Sequence, residues 1–111
     1  MTDKRVVLTT CGSAEEARRI AQELVERRLA ACVNIVPQIE SVYRWQGEVE
    51  SAMEWLLIVK TTVEAFEGVR DAIGKLHSYD VPECIAIAVE DGSAGYLEWI
   101  GASVGQGRRE F

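Results

Sequence analysis

The feature that most constrains this chain is the stretch 30–61, AACVNIVPQIESVYRWQGEVESAMEWLLIVKT, which reads as two long strands folded back on each other at Gln46-Gly47. From Ala31 the odd positions run Ala31, Val33, Ile35, Pro37, Ile39, Ser41, Tyr43, Trp45, and the even ones Cys32, Asn34, Val36, Gln38, Glu40, Val42, Arg44, Gln46. Such period-two alternation marks a half-buried antiparallel strand. On the return, odd positions give Val49, Ser51, Met53, Trp55, Leu57, Val59 and even ones Glu48, Glu50, Ala52, Glu54, Leu56, Ile58, Lys60. One face is read as apolar near the turn, and both faces as apolar over 56–59.

Length makes this hairpin informative. Strands of about 14 residues span roughly 45 Å, whereas a domain of this size has a radius of gyration of only about 13 Å, so the tip is expected to overhang its own body. The tip still carries Tyr43, Trp45, Val49, Met53 and Trp55. An exposed apolar strip of that kind invites pairing, and a partner subunit is the expected cover, with Trp45, Val49, Met53 and Trp55 at the interface. The alternative is a hairpin that curls back over its own domain.

Composition narrows the class. The chain has 111 residues, 48% hydrophobic and 27% charged, which fits one globular domain over 1–111 with a real core. Twelve basic against 18 acidic side chains give a net charge of −6, which repels phosphate backbones and anionic membranes. The first residues lack the apolar run of a signal peptide, and no segment approaches a membrane span. A cytoplasmic location is the expectation. Cys11, Cys32 and Cys84 are too widely spaced for a C-x-x-C pair and odd in number, so they are read as small buried hydrophobes.

The remaining elements follow from local signals. Arg5-Val6-Val7-Leu8-Thr9-Thr10-Cys11 is a β-branched run, read as a central strand. Ser13 with Glu16 forms a capping-box pattern that opens a helix reaching about Leu29, with Ala17, Ile20, Ala21, Leu24 and Val25 on its apolar stripe. Thr61 with Glu64 repeats the pattern ahead of a second helix striped by Ala65, Phe66, Val69, Ile73 and Leu76. His77 to Glu83 is a loop by its turn residues and Pro82, and it feeds an apolar run over 84–89, read as a strand covered on both faces. Tyr96, Leu97, Trp99 and Ile100 suggest a C-terminal helix docked by aromatic contacts, and 105–111 a loose tail.

The resulting order, β-α-β-β-α-β with an appended helix, is the split β-α-β pattern of an α+β, ferredoxin-like antiparallel sheet. Within it, Leu29-Ala30-Ala31-Cys32-Val33-Asn34, Ser41-Val42-Tyr43-Arg44-Trp45-Gln46-Gly47, Lys60-Thr61, His77-Ser78-Tyr79-Asp80-Val81-Pro82-Glu83 and Tyr96-Leu97-Glu98-Trp99 resemble the CutA family of divalent-cation tolerance proteins. The resemblance implies a homotrimer similar to the nitrogen-regulatory PII signal proteins, its long hairpins wrapping neighbouring subunits, and a link to Cu²⁺ and other divalent cations. The family's usual His-Pro-Tyr-Glu reads His77-Ser78-Tyr79-Asp80 here, which removes a rigid ring and shortens one carboxylate.

Candidate sites are few. For metal, His77 is the only histidine, with Glu54, Glu83, Asp80 and Cys11 as possible neighbours of the type borderline cations favour; the resemblance points at His77 and Glu54 meeting across subunits. The alternative is that His77 caps its helix. For a small effector, a cleft between subunits lined by Tyr43, Trp45, Lys60, Tyr79 and Glu83 is expected, since pockets favour interfaces with aromatic walls; the competing reading places those aromatics in the core. No nucleophile-base signature or phosphate loop is present, and 6–10 and 85–89 lack the stacking aromatics of RNA-binding relatives of this fold. The reading is a trimer in divalent-cation, notably copper, homeostasis that binds metal or a small effector and takes part in signalling. Its rivals are a scaffolding trimer with incidental metal affinity and an enzyme using the inter-subunit cleft.

Overall fold

The computed structural model describes residues 2–105; of the expected loose tail, all but Gly105 lies outside them. The elements are β1 (Lys4–Cys11), α1 (Ala14–Glu26), β2 (Cys32–Trp45), β3 (Glu48–Thr62), α2 (Phe66–Leu76), β4 (Ile85–Ala88) and α3 (Ala94–Ser103). The strands form one antiparallel sheet in the order β2-β3-β1-β4. This is the ferredoxin-like arrangement, with β1 central as its β-branched run predicts and α3 appended.

Ladder pairing places directly opposed side chains on one face. Val33, Val59 and Val7 form one such row and Ile35, Leu57 and Thr9 the next. The two longer helices close this face with Ile20, Leu24, Val69 and Ile73, all fully buried. The other face sets Leu8 beside Ile58 and Ile85, and Val6 beside Ile87. There β4 departs from expectation. It is an edge strand of four residues, every one exposed, with Ile85 at 52% and Ile87 at 49%. An apolar run records that a strand needs cover, not which chain supplies it.

The hairpin turns at Gln46 (φ 50°) and Gly47 (φ 83°), the paired left-handed residues of a two-residue turn that matches strand twist. This turn pairs Trp45 with Glu48, so odd residues of β2 face even residues of β3 along the arm. Tyr43 opposes Glu50, Arg44 opposes Val49 and Glu40 opposes Met53. The single apolar face expected near the tip is therefore split, with Tyr43 and Trp45 on one side and Val42, Val49 and Met53 on the other; all five are exposed. Between Val36 and Ile39 the register slips by one residue. Pro37 and Gln38 (φ 59°) form a bulge there, a place where a strand tolerates proline, and below it parity reverses so that Val33 and Ile35 reach the core. The arm gives the molecule extents of 50 × 25 × 22 Å. Trp55, expected at the tip, instead pairs with Cys11 and packs on the protomer's own core.

Helix ends also differ from the sequence reading. Ser13 Oγ accepts from the Glu16 N–H at 3.1 Å, but the Glu16 carboxylate turns away to the 77–79 loop. The first helix stops at Glu26 because Arg28 takes a left-handed φ of 59°; its guanidinium donates to the Ala102 and Gly105 carbonyls at the end of α3. Thr61 lies within β3 and donates to the Leu29 carbonyl, while Thr62 accepts from Ala65 ahead of α2. The last helix docks through Ile100 and Leu97 against Ala31 and Ala65. Its Tyr96 and Trp99 stay about half exposed and lean on each other at 5.5 Å, rather than docking it.

Candidate functional site

A cleft of about 660 Å³ opens where the arm leaves the body, between the face carrying Ser41, Tyr43, Trp45 and Glu54 and the 79–83 loop, with Thr10 at its floor. Alternation along β2 aims Ser41, Tyr43 and Trp45 the same way, and Ile39 pairs with Glu54 to bring that carboxylate onto their face. Glu54 is 8% exposed. The Tyr79 hydroxyl donates to Glu54 Oε2 at 2.8 Å, and burial, then this bond, push the phenol well above its ordinary value. Asp80 and Glu83 complete the acidic lining.

The loop is held from behind. Glu16, 6% exposed, accepts from the Ser78 N–H at 2.6 Å and the Ser78 hydroxyl at 3.1 Å. The His77 side chain is wholly buried. Its Nδ1 accepts from the Tyr79 N–H at 3.1 Å, so the proton sits on Nε2, which donates to the Thr10 carbonyl at 2.6 Å. The imidazole lies under the Tyr79 ring at 4.5 Å. Both ring nitrogens are thus engaged inside the protomer, where Tyr79 contacts both His77 and Glu54. Among the described residues no three His, Cys, Asp or Glu side chains gather closely enough to hold a metal ion.

A sequence model for the CutA1 divalent ion tolerance proteins matches residues 5–103. The chain belongs to the CutA1 family. The family's divalent-cation tolerance protein from Thermus thermophilus is 51% identical over 102 residues, covering 92% of this chain and 99% of that one, and its solved structure superposes with a TM-score of 0.90. A family structure from Archaeoglobus fulgidus, described as a periplasmic divalent cation tolerance protein, is 45% identical with a TM-score of 0.89, covering 92% of this chain and 99% of that one. The human protein CutA is 43% identical over 91 residues, 82% of this chain, which spans about half (51%) of that protein.

Against this family background the placement of each expected residue is clear. Tyr43, Trp45, Tyr79 and Glu83 line one cleft with Glu54. Lys60 does not join them: it pairs with Val6 and Cys32, six residues or about 20 Å along the strand from Glu54, and its ammonium is taken by Asn34. Cys11 is buried, and burial first, then the nearby Glu16 and Glu54 charges, push its thiol up to about 12, so it offers no thiolate at neutral pH. Sequence reasoning missed Thr10, Ser41, Val42 and Val81 in the lining, and the role of Glu16 behind it. Ser41, two places before Tyr43, was legible from strand parity. A second hollow, also about 660 Å³, lies at the opposite end among Arg27, Arg28, Thr62 and Val104, and none of the expected site residues reaches it.

Proposed function

We propose that this chain works as a cytoplasmic homotrimer in divalent-cation tolerance, holding a metal ion, Cu²⁺ first among them, or a small effector whose occupancy it signals, in the cleft at the root of the arm. Glu54 carries this reading. A carboxylate 8% exposed whose hydrogen bonding among the described residues is one bond from Tyr79 is costly unless it has a task. The open sheet face and the arm face opposite the cleft support a trimer, because a lone protomer leaves Ile85, Ile87, Val42, Val49 and Met53 exposed. A metal shell built on Glu54 would draw further ligands from a neighbouring copy or from water. The three cysteines are free thiols, as in a reducing compartment. The role we read is non-enzymatic, since His77 has both ring nitrogens engaged.

The test has two arms. Sedimentation at micromolar concentration should give a species of about 37 kDa, three times 12.3 kDa; a stable monomer overturns the assembly. Calorimetric titration with Cu²⁺ should show saturable binding that Glu54→Gln weakens at least about tenfold. Equal affinity in parent and variant removes Glu54 from the site.

A further inference from the structure

The cleft face of the arm has a chemical pattern of its own. Tyr43 lies directly across from Glu50 and Trp45 across from Glu48, so each aromatic ring on that face is set against a carboxylate. The one guanidinium of the arm, on Arg44, pairs with Val49 on the opposite face. Across the cleft stand a third aromatic, Tyr79, and two more carboxylates, Asp80 and Glu83, and no Lys or Arg lines the space. Glu54 at its floor points a nearly buried carboxylate into the cleft with its hydrogen bond running through Oε2 alone among the described residues. None of these carboxylates has a cationic partner among the described residues.

Aromatic faces and carboxylates without basic residues select positive charge and reject anionic metabolites. The volume, about 660 Å³, is that of a small-molecule site rather than a bare ion. A metal seated on Glu54 would need several further ligand atoms, from a neighbouring copy or from water, to converge on one point. An alkylammonium group needs no converging shell: it spreads its charge over ring faces and accepts any nearby carboxylate.

We propose that the effector is an organic ammonium ion, seated with a charged nitrogen beside Glu54 and the Tyr79 ring and its chain running along the arm towards Tyr43. This rests on the cleft being the binding site and names the ligand class it takes.

The experiment is a calorimetric titration of the purified, metal-free protein with tetramethylammonium and with putrescine, against uncharged butanediol and dianionic succinate, and separately with Cu²⁺. Both ammonium probes should bind saturably, succinate should not bind, and butanediol should be at least about tenfold weaker than putrescine. Glu54→Gln and Tyr43→Leu should each weaken putrescine at least about tenfold, whereas Glu64→Gln, in the hollow at the far end, should not. Should Glu54→Gln fail to fold, Glu83→Gln, on an exposed loop residue, gives a smaller loss in the same direction. Butanediol binding as tightly as putrescine overturns the proposal, as does unchanged affinity in the variants. Cu²⁺ binding that depends on Glu54 without any ammonium binding overturns the ligand class and leaves the cleft standing. Failure of every probe overturns both.

Discussion

The Tyr79 hydroxyl donates to Glu54 Oε2 at 2.8 Å across a sequence gap of 25 residues, and this one bond joins the arm to the 77–83 loop. Tyr79→Phe deletes the donor and leaves Glu54 buried without its partner. A loss of about 1–2 kcal/mol is expected, read as a lower melting temperature, while Tyr43→Phe, on an exposed ring, leaves stability unchanged. Equal stability of Tyr79→Phe and parent would show the bond to be incidental.

The Ser78 N–H and hydroxyl both go to Glu16. The backbone would admit proline, since His77 is extended at ψ 145°, as a residue before proline prefers. Ser78→Pro is nevertheless expected to cost about 1–3 kcal/mol, because it strands a buried carboxylate. In a Glu16→Gln background the penalty should shrink, and a double-mutant cycle measures the difference. Strict additivity would sink the coupling.

The Cys11 thiol, ordinarily near 9.0, is pushed up to about 12 by burial. A value raised in the folded state means that the unfolded chain gives up its proton first. The associated stability is whole below pH 9 and drains away as pH rises towards 12. Cys11→Ala lacks this term, so its melting temperature should fall less steeply than the parent's over that window. Parallel curves would show that the thiol does not drive the alkaline loss.

At the arm tip, Gly47 holds a φ of 83° with open space around its Cα. Gly47→Val therefore meets backbone strain and no clash, and about 1–2 kcal/mol of destabilisation is expected. Gln46→Asn, a residue better suited to a left-handed turn position, should raise the melting temperature. If Gly47→Val melts with the parent, the tip contributes nothing to global stability.

How much of this was visible in the sequence differs by element. Alternation gave both long strands and the turn between them, and the capping serine gave the start of α1, because each signal is local. Which side chains share a face was not visible. Facing depends on the parity of the pairing, set by the turn and reset by the bulge at Pro37 and Gln38, so Val49 and Met53 fell on the face opposite Tyr43 and Trp45. Glu16 fitted a capping box by spacing, yet its carboxylate found better donors in Ser78, 62 residues on; a tertiary partner outcompeted the local one. Within one protomer Tyr79, Glu83, Tyr43 and Trp45 line one cleft, and Lys60 sits about 20 Å along β3 from Glu54 with its ammonium on Asn34.

Chain separation orders the sheet in time as well as space. Trp45 and Glu48 are 3 residues apart and Cys32 and Lys60 28, whereas Cys11 and Trp55 are separated by 44 and Leu8 and Ile85 by 77. Loop-closure entropy favours zipping the hairpin from its turn and adding β4 last. That strand has four residues and one neighbour, so it is also the first to peel away in the folded protein. The loop bearing Tyr79 runs straight into it. One wall of the cleft is thereby rooted in the arm and the other in the fastest-opening part of the sheet, and a guest bridging Glu54 to that loop would announce itself as slowed amide exchange in β4, at residues it never touches.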